Sequence, residues 1–187
     1  MKFFATELPG LVRIEPRIFE DDRGWFMETF NRRDFDNGLI DLGLPASGAF
    51  VQDNQSMSFK GVVRGLHWQE APHGQGKLVR VARGAVQDVA LDIRPESPTF
   101  GKWASFELSA KNGHMLWIPV GFAHGMLALK DHTHLLYRTT GFYNQSAEKS
   151  LFWNDPELNI AWQSDFDYRV SGKDQDAPRF GDLFAAP

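Results

Sequence analysis

Two short segments of the sequence combine glycine with a histidine at a regular spacing. In the first, Gly61 is followed after five residues by His67. The second begins at Gly113, has Pro and Gly at positions 119 and 121, and ends with His124 and Gly125. An imidazole changes its charge near neutral pH, so each histidine could serve as a general base or as a metal ligand. The residues that accompany them decide between these two kinds of site.

The two segments resemble the paired sequence motifs of the cupin superfamily, whose members fold as small jelly-roll β-barrels. In metal-binding cupins the first motif supplies two histidines and a glutamate, and the second motif supplies one more histidine. Here Gln69 stands at the second histidine position, and Lys77 stands at the glutamate position, counted back from the turn glycine Gly84. A protonated lysine has no lone pair, and two histidines with a neutral amide form a weak metal site. We therefore expect a barrel that holds no metal.

His67 and Lys77 together suit the removal of a proton next to a ketone. An uncharged imidazole can take the proton, and an ammonium group can stabilise the enolate oxygen that results. Returning the proton to the opposite face requires an acid on the other side of the site. Tyr137 and Tyr143 are both candidates for this acid, and only three tyrosines occur in the chain.

Further segments resemble the dTDP-4-dehydrorhamnose 3,5-epimerase family, in matching order from about residue 10 to about residue 180. They are Arg23-Gly24-Trp25-Phe26-Met27-Glu28, Gln52 to Ser56, Lys60 to Gln69, Gln75 to Val79, Ser97 to Gly101, Ile118 to Gly125, Asn154-Asp155-Pro156 and Lys173-Asp174. The resemblance implies a homodimer without a cofactor, acting on a dTDP-linked 4-keto-6-deoxy sugar. It implies inversion at carbons 3 and 5, with inversion of one carbon as the alternative.

The resemblance also implies roles for the catalytic residues. The histidine at the position of His67 is the proton acceptor, and the carboxylate at the position of Asp174 pairs with it and fixes its tautomer. The tyrosine at the position of Tyr137 is the proton donor, and the one at Tyr143 stacks on the thymine ring. Lys77 is placed beside the carbonyl oxygen.

Eight further positions match substrate contacts of the family: Arg23, Glu28, Gln52, Asn54, Arg64, His124, Glu148 and Lys173. Among them, Arg23, Arg64 and Lys173 are expected to bind the diphosphate, since cationic side chains supply donors to phosphate oxygens. For His124 the sequence leaves open whether it contacts substrate or only forms a hydrogen bond within the barrel. One departure bears on catalysis: Gly172 replaces the more usual glutamate, and we expect it to loosen the loop that carries Asp174.

The remaining sequence predicts the elements that position these side chains. Short β-rich runs separated by Gly, Pro, Asn and Asp predict a mainly β fold, a cupin-type jelly-roll β-barrel with a few short helices, in one domain over residues 1–187. Strands are predicted at 79–81, 87–93, 103–108, 116–118 and 133–140, and one helix over 32–39 after the capping residue Asn31. Asp88 and Asp92 alternate along one strand, and we expect them to face solvent. After Trp162 a polar tail is expected to wrap the surface as loop and short helix.

Composition excludes several classes of protein. The net charge is −4, which disfavours binding to nucleic acid, and the chain has no cysteine for a disulfide or a thiolate site. No apolar run approaches the length of a membrane span, and Glu7 comes too early for the apolar region of a signal peptide. These features predict a cytoplasmic enzyme. Two other hypotheses stay open: a metal-dependent cupin, and a sugar-binding cupin without catalysis.

Overall fold

A six-stranded and a five-stranded antiparallel sheet form most of the protein, and a two-stranded hairpin forms a third sheet. The computed structural model describes residues 1–163 and 165–184. The strands are β1 Lys2–Ala5, β2 Val12–Glu15, β3 Ile18–Asp21, β4 Gly24–Met27, β5 Gln52–Ser58, β6 Val63–Gln69, β7 Lys77–Arg83, β8 Ala85–Asp92, β9 Trp103–Ser109, β10 Met115–Ile118, β11 Phe122–Ala128, β12 Thr133–Thr139 and β13 Glu148–Ser150. The helices are α1 Arg32–Asp41, α2 Gly172–Gln175 and α3 Phe180–Phe184, with a 3-10 turn at Gln145–Ala147.

The strand order shows why distant parts of the chain meet. The larger sheet runs β1-β2-β10-β7-β12-β5, the smaller one runs β13-β6-β11-β8-β9, and the hairpin pairs β3 with β4. Each of the five predicted strands overlaps an observed strand, and the predicted mainly β fold with short helices is confirmed. The first histidine segment lies on β6 and the second on its neighbour β11, so His67 and His124 become direct cross-strand partners.

The space between the two large sheets is filled by apolar side chains from both. Val79 and Leu135 contribute from the larger sheet, and Val86, Ala90 and Met126 from the smaller one. Residues of β8 alternate between this interior and the outer face, where Val89 and Leu91 join a second cluster. This alternation is the period of two that a strand imposes on its side chains.

Both faces of β8 are covered, and this corrects the expectation for its two aspartates. Asp88 and Asp92 are fully buried, so the prediction that they face solvent is wrong. Asp88 points toward His124, while Asp92 accepts hydrogen bonds from Arg94, Ser97 and Thr99. Both aspartates lie on the same face of β8 as Val86 and Ala90, which turns toward the larger sheet, while the tail covers the opposite, apolar face of Val89 and Leu91.

The polar tail covers the outer face of the smaller sheet. Leu158, Ile160, Trp162 and Phe180 are buried there against strand residues. The predicted loop and short helix are observed as loop segments with the short helices α2 and α3, while position 164 and positions 185–187 lie outside the described residues. Each large apolar side chain buried in this way contributes about 1.5–3 kcal/mol, so the tail is held firmly enough to carry functional groups.

Helix α1 covers the outer face of the larger sheet. Its residues Phe35 and Leu39 are fully buried beside Trp117. The helix begins where predicted, because the Asn31 side chain accepts a hydrogen bond from the backbone N–H of Asp34 at 3.3 Å. Among the helices of residues 1–163 and 165–184, none is long and apolar enough to span a bilayer.

Candidate active site

A cavity of about 570 Å³ opens between the two large sheets and α2. It brings together the four residues predicted to be catalytic: His67, Lys77, Tyr137 and Asp174. Three of the predicted substrate contacts also line it: Arg64, His124 and Lys173. The cavity therefore collects residues from both sheets and from the tail, which are far apart in sequence.

His67 and Asp174 form a close pair on one wall. The Nε2 atom of His67 lies 2.5 Å from Oδ1 of Asp174, and the Gly65 N–H donates to Oδ2 at 3.3 Å. Burial alone would raise the pKa of Asp174, but hydrogen bonds from His67, Gly65 and Ser171 outweigh it and hold this pKa below its usual range. An ionised Asp174 accepts the Nε2 hydrogen of His67, so Nδ1 is left with a free lone pair.

The tail segment that carries Asp174 is short but well anchored. Ser171 caps α2, and its hydroxyl accepts a hydrogen bond from the Asp174 N–H at 3.2 Å. Gly172 begins the helix with ordinary backbone angles, and an added Cβ would meet nothing within 4 Å. The looseness that we expected from Gly172 is therefore offset by the cap and by the carboxylate contacts of Asp174.

Lys77 approaches His67 from the opposite sheet. It is the first residue of β7, and its Nζ lies 3.4 Å from the backbone oxygen of His67. Burial lowers the pKa of Lys77 to about 8, although the carboxylates of Asp88 and Glu148 oppose the shift. At neutral pH the side chain is therefore mainly an ammonium, able to stabilise negative charge on a nearby oxygen.

Tyr137 also belongs to the larger sheet and faces His67 across the cavity. Its strand β12 pairs with β7, which places it two residues from the register position of Lys77. Burial raises the pKa of Tyr137, with Arg64 opposing and Glu148 adding to the shift. The phenol accordingly keeps its proton at neutral pH and can donate it.

Tyr143, Glu148 and Lys173 form a network at the rim. The Tyr143 hydroxyl donates to Oε2 of Glu148 at 3.0 Å, and the Lys173 ammonium lies 2.7 Å from the same oxygen. Burial would raise the pKa of Glu148, but Lys173 and Tyr143 lower it below its usual value. The ring of Tyr143 is 54% exposed and is thus open to stacking by a planar ligand.

Gln52 and Asn54 extend this network along β5. The Gln52 side chain accepts a hydrogen bond from the Tyr143 N–H at 3.0 Å and donates to Oδ1 of Asn54 at 2.8 Å. Neither residue lines the cavity itself. Asn54 is the register partner of Tyr137 on β12, so this pair of amides lies next to both tyrosines.

Sequence reasoning missed a second carboxylate–imidazole pair behind the cavity. The Nε2 atom of His124 lies 3.0 Å from both carboxylate oxygens of Asp88. Of the two alternatives left open for His124, the hydrogen bond within the barrel is observed; the ring also lines the cavity, and its contact with substrate stays a prediction. The signal for Asp88 was present in β8, where an acidic residue alternates with Val89 and Leu91 on a strand that is apolar on both faces. Arg169 and Ser171 of the tail also line the cavity and were not predicted.

Gln69, at the position of a metal ligand in cupins, is fully engaged with the backbone. Its amide donates to the carbonyl oxygens of His73 at 2.7 Å and Phe142 at 3.2 Å, and its oxygen accepts the Asn144 N–H at 2.7 Å. The side chain therefore holds a loop in place, with its oxygen turned to the Asn144 N–H and its NH2 group to two carbonyl oxygens. Across residues 1–163 and 165–184, no three His, Cys, Asp or Glu side chains are grouped as a metal site would require.

Arg23 and Glu28 do not line this cavity. Arg23 lies at the turn of the β3–β4 hairpin, where it pairs with Asp21 at 2.6 Å, and the Glu28 carboxylate accepts a hydrogen bond from Asn31. The same hairpin carries three exposed aromatic residues: the solvent-exposed fractions of Phe19, Trp25 and Phe26 are 49%, 60% and 69%. Such an apolar cluster on a surface is typical of an interaction site.

Comparisons with known proteins agree with this geometry. The sequence profile described as dTDP-4-dehydrorhamnose 3,5-epimerase matches residues 5–182. The protein of that name from Pseudomonas aeruginosa is 46% identical over 187 residues, and the alignment covers 100% of both chains. The dTDP-6-deoxy-D-glucose-3,5-epimerase of Legionella pneumophila, solved in complex with dTDP-4-keto-L-rhamnose, superposes with a TM-score of 0.88 at 42% identity and covers 95% of this chain and 92% of its own.

A more distant structure is that of a 3′-monoepimerase, ChmJ of Streptomyces bikiniensis, in complex with dTDP-quinovose. It is 32% identical, has a TM-score of 0.86, and the match covers 93% of this chain and 85% of that one. The fold is therefore shared by enzymes that are named for epimerisation at one carbon and by enzymes that are named for epimerisation at two carbons.

Proposed function

The chain belongs to the dTDP-4-dehydrorhamnose 3,5-epimerase family, and from this premise we propose that His67 is the base with which it inverts carbons 3 and 5 of its substrate. The substrate is dTDP-4-dehydro-6-deoxy-D-glucose and the product is dTDP-4-dehydro-L-rhamnose. The observation that carries the proposal is the arrangement of one cavity: His67 with Asp174 on one wall, and Lys77 with Tyr137 on the other.

The first step is removal of a proton from a carbon next to the 4-keto group. Nδ1 of His67 accepts this proton, since Nε2 is engaged by Asp174. The ionised Asp174 then stabilises the imidazolium that forms. The electron pair left on carbon moves onto the keto oxygen, and the Lys77 ammonium stabilises the resulting enolate.

The second step returns a proton to the other face of the same carbon. Tyr137 projects from the larger sheet and His67 from the smaller one, so the two side chains reach a sugar from opposite sides. The raised pKa of Tyr137 keeps its phenol protonated until the enolate collapses. Tyr143 is a poorer donor candidate, because its hydroxyl is committed to Glu148 at the rim.

Substrate binding is assigned to the cationic and aromatic rim. Arg64 and Lys173 supply positive charge for the diphosphate, and the exposed ring of Tyr143 supplies a surface for the thymine. His124 contacts the sugar from the floor of the cavity. Glu148, Gln52 and Asn54 act one step behind, by orienting Lys173 and Tyr143.

The chemistry of the cavity requires no metal or organic cofactor. Lys77 occupies the position of a carboxylate ligand in metal-binding cupins, and the side-chain amide of Gln69 is hydrogen-bonded to three backbone groups. The two remaining histidines turn Nε2 toward carboxylates that act as their partners. A charged ammonium in this position repels a divalent cation, so the donor set fits acid–base catalysis and does not fit a bound metal.

The enzyme acts as a homodimer in which Arg23 and Glu28 reach the cavity of the partner. Two observations support this: these residues lie away from their own cavity, and they flank the exposed apolar hairpin. A second copy of the chain would cover Phe19, Trp25 and Phe26. Each protomer folds as one domain over residues 1–187 and works in the cytoplasm, which the lack of cysteine favours.

Turnover in deuterated water tests the reaction. The wild-type enzyme is incubated with dTDP-4-keto-6-deoxyglucose, and deuterium in the sugar is located by NMR and mass spectrometry. Incorporation at carbons 3 and 5 is the expected result. Incorporation at one carbon only would establish the single-carbon epimerase, and tight binding without incorporation would establish a sugar-binding protein without catalysis. A stoichiometric metal essential for exchange would contradict the acid–base assignment.

A further inference from the structure

Asp88 is a buried carboxylate next to the cavity that the mechanism above does not use. It lies on β8, is 0% exposed, and holds Nε2 of His124 at 3.0 Å with both of its oxygens. No other hydrogen bond to this carboxylate occurs in the part of the chain that the structure describes. A buried negative charge is costly unless positive charge or several donors compensate it, and one neutral imidazole supplies only one N–H.

The cation available to Asp88 is Lys77, which projects from the opposite sheet. The Lys77 ammonium reaches the backbone of His67, and His67 is the cross-strand partner of His124, the residue that Asp88 holds. The ammonium and the Asp88 carboxylate therefore each lie next to one member of the same pair of neighbouring histidines. Charge attraction between them acts through a part of the barrel that is shielded from water.

We propose that Asp88 is a positioning residue of this reaction: it supplies the countercharge that keeps Lys77 protonated, and it fixes the ring of His124. The proposal deepens the epimerase function proposed above and rests on it. With Nε2–H of His124 donated to Asp88, Nδ1 is an unprotonated acceptor. His124 lines the cavity, so this nitrogen is suited to accept a hydrogen bond from a sugar hydroxyl.

The electrostatic surroundings of Lys77 decide the sign of the effect. The charged or titratable groups that face it or share its cavity are Asp88, Glu148, His67, His124, Tyr137, Arg64, Arg169, Lys173 and Asp174. Burial drives the pKa of Lys77 down, and Asp88 is the larger of the two carboxylate influences that oppose this. Removing the charge of Asp88 lowers the pKa further, so the ammonium is lost at a lower pH.

The test is the pH profile of kcat/KM for solvent exchange in the wild type, Asp88→Asn and Asp92→Asn. In Asp88→Asn, the decline of activity at high pH should begin about one pH unit lower than in the wild type. The loss of kcat/KM relative to the wild type should therefore be about tenfold greater at pH values above the decline than at pH values below it. Asp92→Asn is the matched control, because Asp92 is equally buried on the same strand but is bound to Arg94, Ser97 and Thr99. It should lower the Tm and leave the shape of the profile unchanged. Asp88→Glu should restore the wild-type profile in part.

A direct titration of Lys77 by NMR, on protein with 13C-labelled lysine, separates this proposal from the reaction itself. Lys77→Arg identifies the signal by removing it. A lower Lys77 pKa in Asp88→Asn than in Asp92→Asn supports the proposal even if the wild type catalyses no exchange, in which case the proposed function alone fails. Overlaying pH profiles with an unchanged Lys77 pKa would overturn the role of Asp88. If Asp88→Asn does not fold, the wild-type titration decides: a Lys77 pKa near 8 supports the countercharge, and one below about 6 overturns it, because burial would then have removed the proton.

Discussion

Each imidazole of the cavity turns Nε2 toward a buried carboxylate: His67 to Asp174 at 2.5 Å, and His124 to Asp88 at 3.0 Å. The carboxylates fix the tautomer of both rings, so the Nδ1 atom of each ring is unprotonated and keeps its lone pair. What differs is access, since the side chain of His67 is 29% exposed and that of His124 only 9%. His67 is therefore the ring that can both reach a sugar carbon and exchange its proton with water.

Replacing His67 with Asn should abolish deuterium exchange at both carbons while leaving binding of dTDP nearly unchanged. Asparagine cannot accept and hold a proton, so the loss should be at least about 10²–10⁴-fold, the usual contribution of a positioned base. Exchange is measured by NMR and dTDP binding by calorimetry. His134→Asn, on the neighbouring sheet with its ring bound to Gln55, is the control and should behave as wild type. Near-normal exchange in His67→Asn would remove His67 as the base.

Replacing Tyr137 and Tyr143 with Phe, one at a time, should have different effects on catalysis. Tyr137→Phe keeps the base, so protons leave and return on the same face: deuterium enters recovered substrate while epimerised product falls by about 10²-fold or more. Tyr143→Phe loses only the hydroxyl bonded to Glu148 and should mainly raise KM. The ratio of deuterium in substrate to that in product distinguishes the two. The opposite pattern would make Tyr143 the donor.

Wild-type activity should decline as the pH rises through about 8. Lys77 acts as an ammonium and its lowered pKa lies there, so its positive charge is present below this pH and is lost above it. The pKa of Asp174 is lowered and that of Tyr137 is raised, so these two groups keep their functional forms across this range. The profile of kcat/KM is the measurement. The Lys77→Arg variant, whose positive charge does not titrate in this range, should be less active and should lack the decline. If the decline persists in Lys77→Arg, a group other than Lys77 causes it.

At the scale of elements, the β-strands were predictable because their apolar alternation survives in short runs such as 103–108 and 133–140. The cupin-type barrel is confirmed by structures that superpose with TM-scores of 0.89 and 0.90. The burial of Asp88 was not predictable from β8 alone. The apolar face of Val89 and Leu91 is covered by residues more than sixty positions later in the chain, and this leaves the face of Asp88 to turn toward the larger sheet.

Helix α2 allows a direct test of how firmly the tail presents Asp174. Gly172→Ala should raise the Tm slightly, by the equivalent of about 0.5 kcal/mol, and leave kcat unchanged, because the new Cβ meets no atom within 4 Å. Gly61→Ala is the contrasting variant. Gly61 has a φ of +83° and lies where a Cβ would come within 2.5 Å of the Asp167 carbonyl oxygen, so it should destabilise the protein by about 1 kcal/mol or more. A lower kcat in Gly172→Ala would mean that the flexibility of this glycine serves catalysis.

At the scale of the whole molecule, the apolar β3–β4 hairpin should determine the oligomeric state. Trp25→Glu places a charge in the cluster that we assign to the dimer interface, so it should yield monomers by light scattering. It should also raise KM, because Arg23 no longer reaches the partner's cavity. Ile40→Glu is the control, since Ile40 is similarly exposed on α1, at 55%, and lies outside the hairpin. A Trp25→Glu protein that stays dimeric with normal KM would contradict both assignments.

The assembly of the site was predictable only in part from the sequence. His67, Lys77 and His124 follow from the spacing of two motifs, since a cupin barrel turns those positions toward its interior. Asp174 rested on family resemblance, because nothing in its local sequence relates it to β6. Arg23 shows the limit most clearly: its match to the family is local, but the cavity that we propose for it belongs to a second copy of the chain.

The distance along the chain between His67 and Asp174 has a consequence for synthesis. The two residues are 107 positions apart, and the second arrives on the segment that wraps the finished barrel. At a translation rate of about 5–20 residues per second, Asp174 is synthesised on the order of 10 s after His67. A chain that ended before this point would lack both Lys173 and the carboxylate that holds His67, so epimerisation requires that translation has passed residue 174.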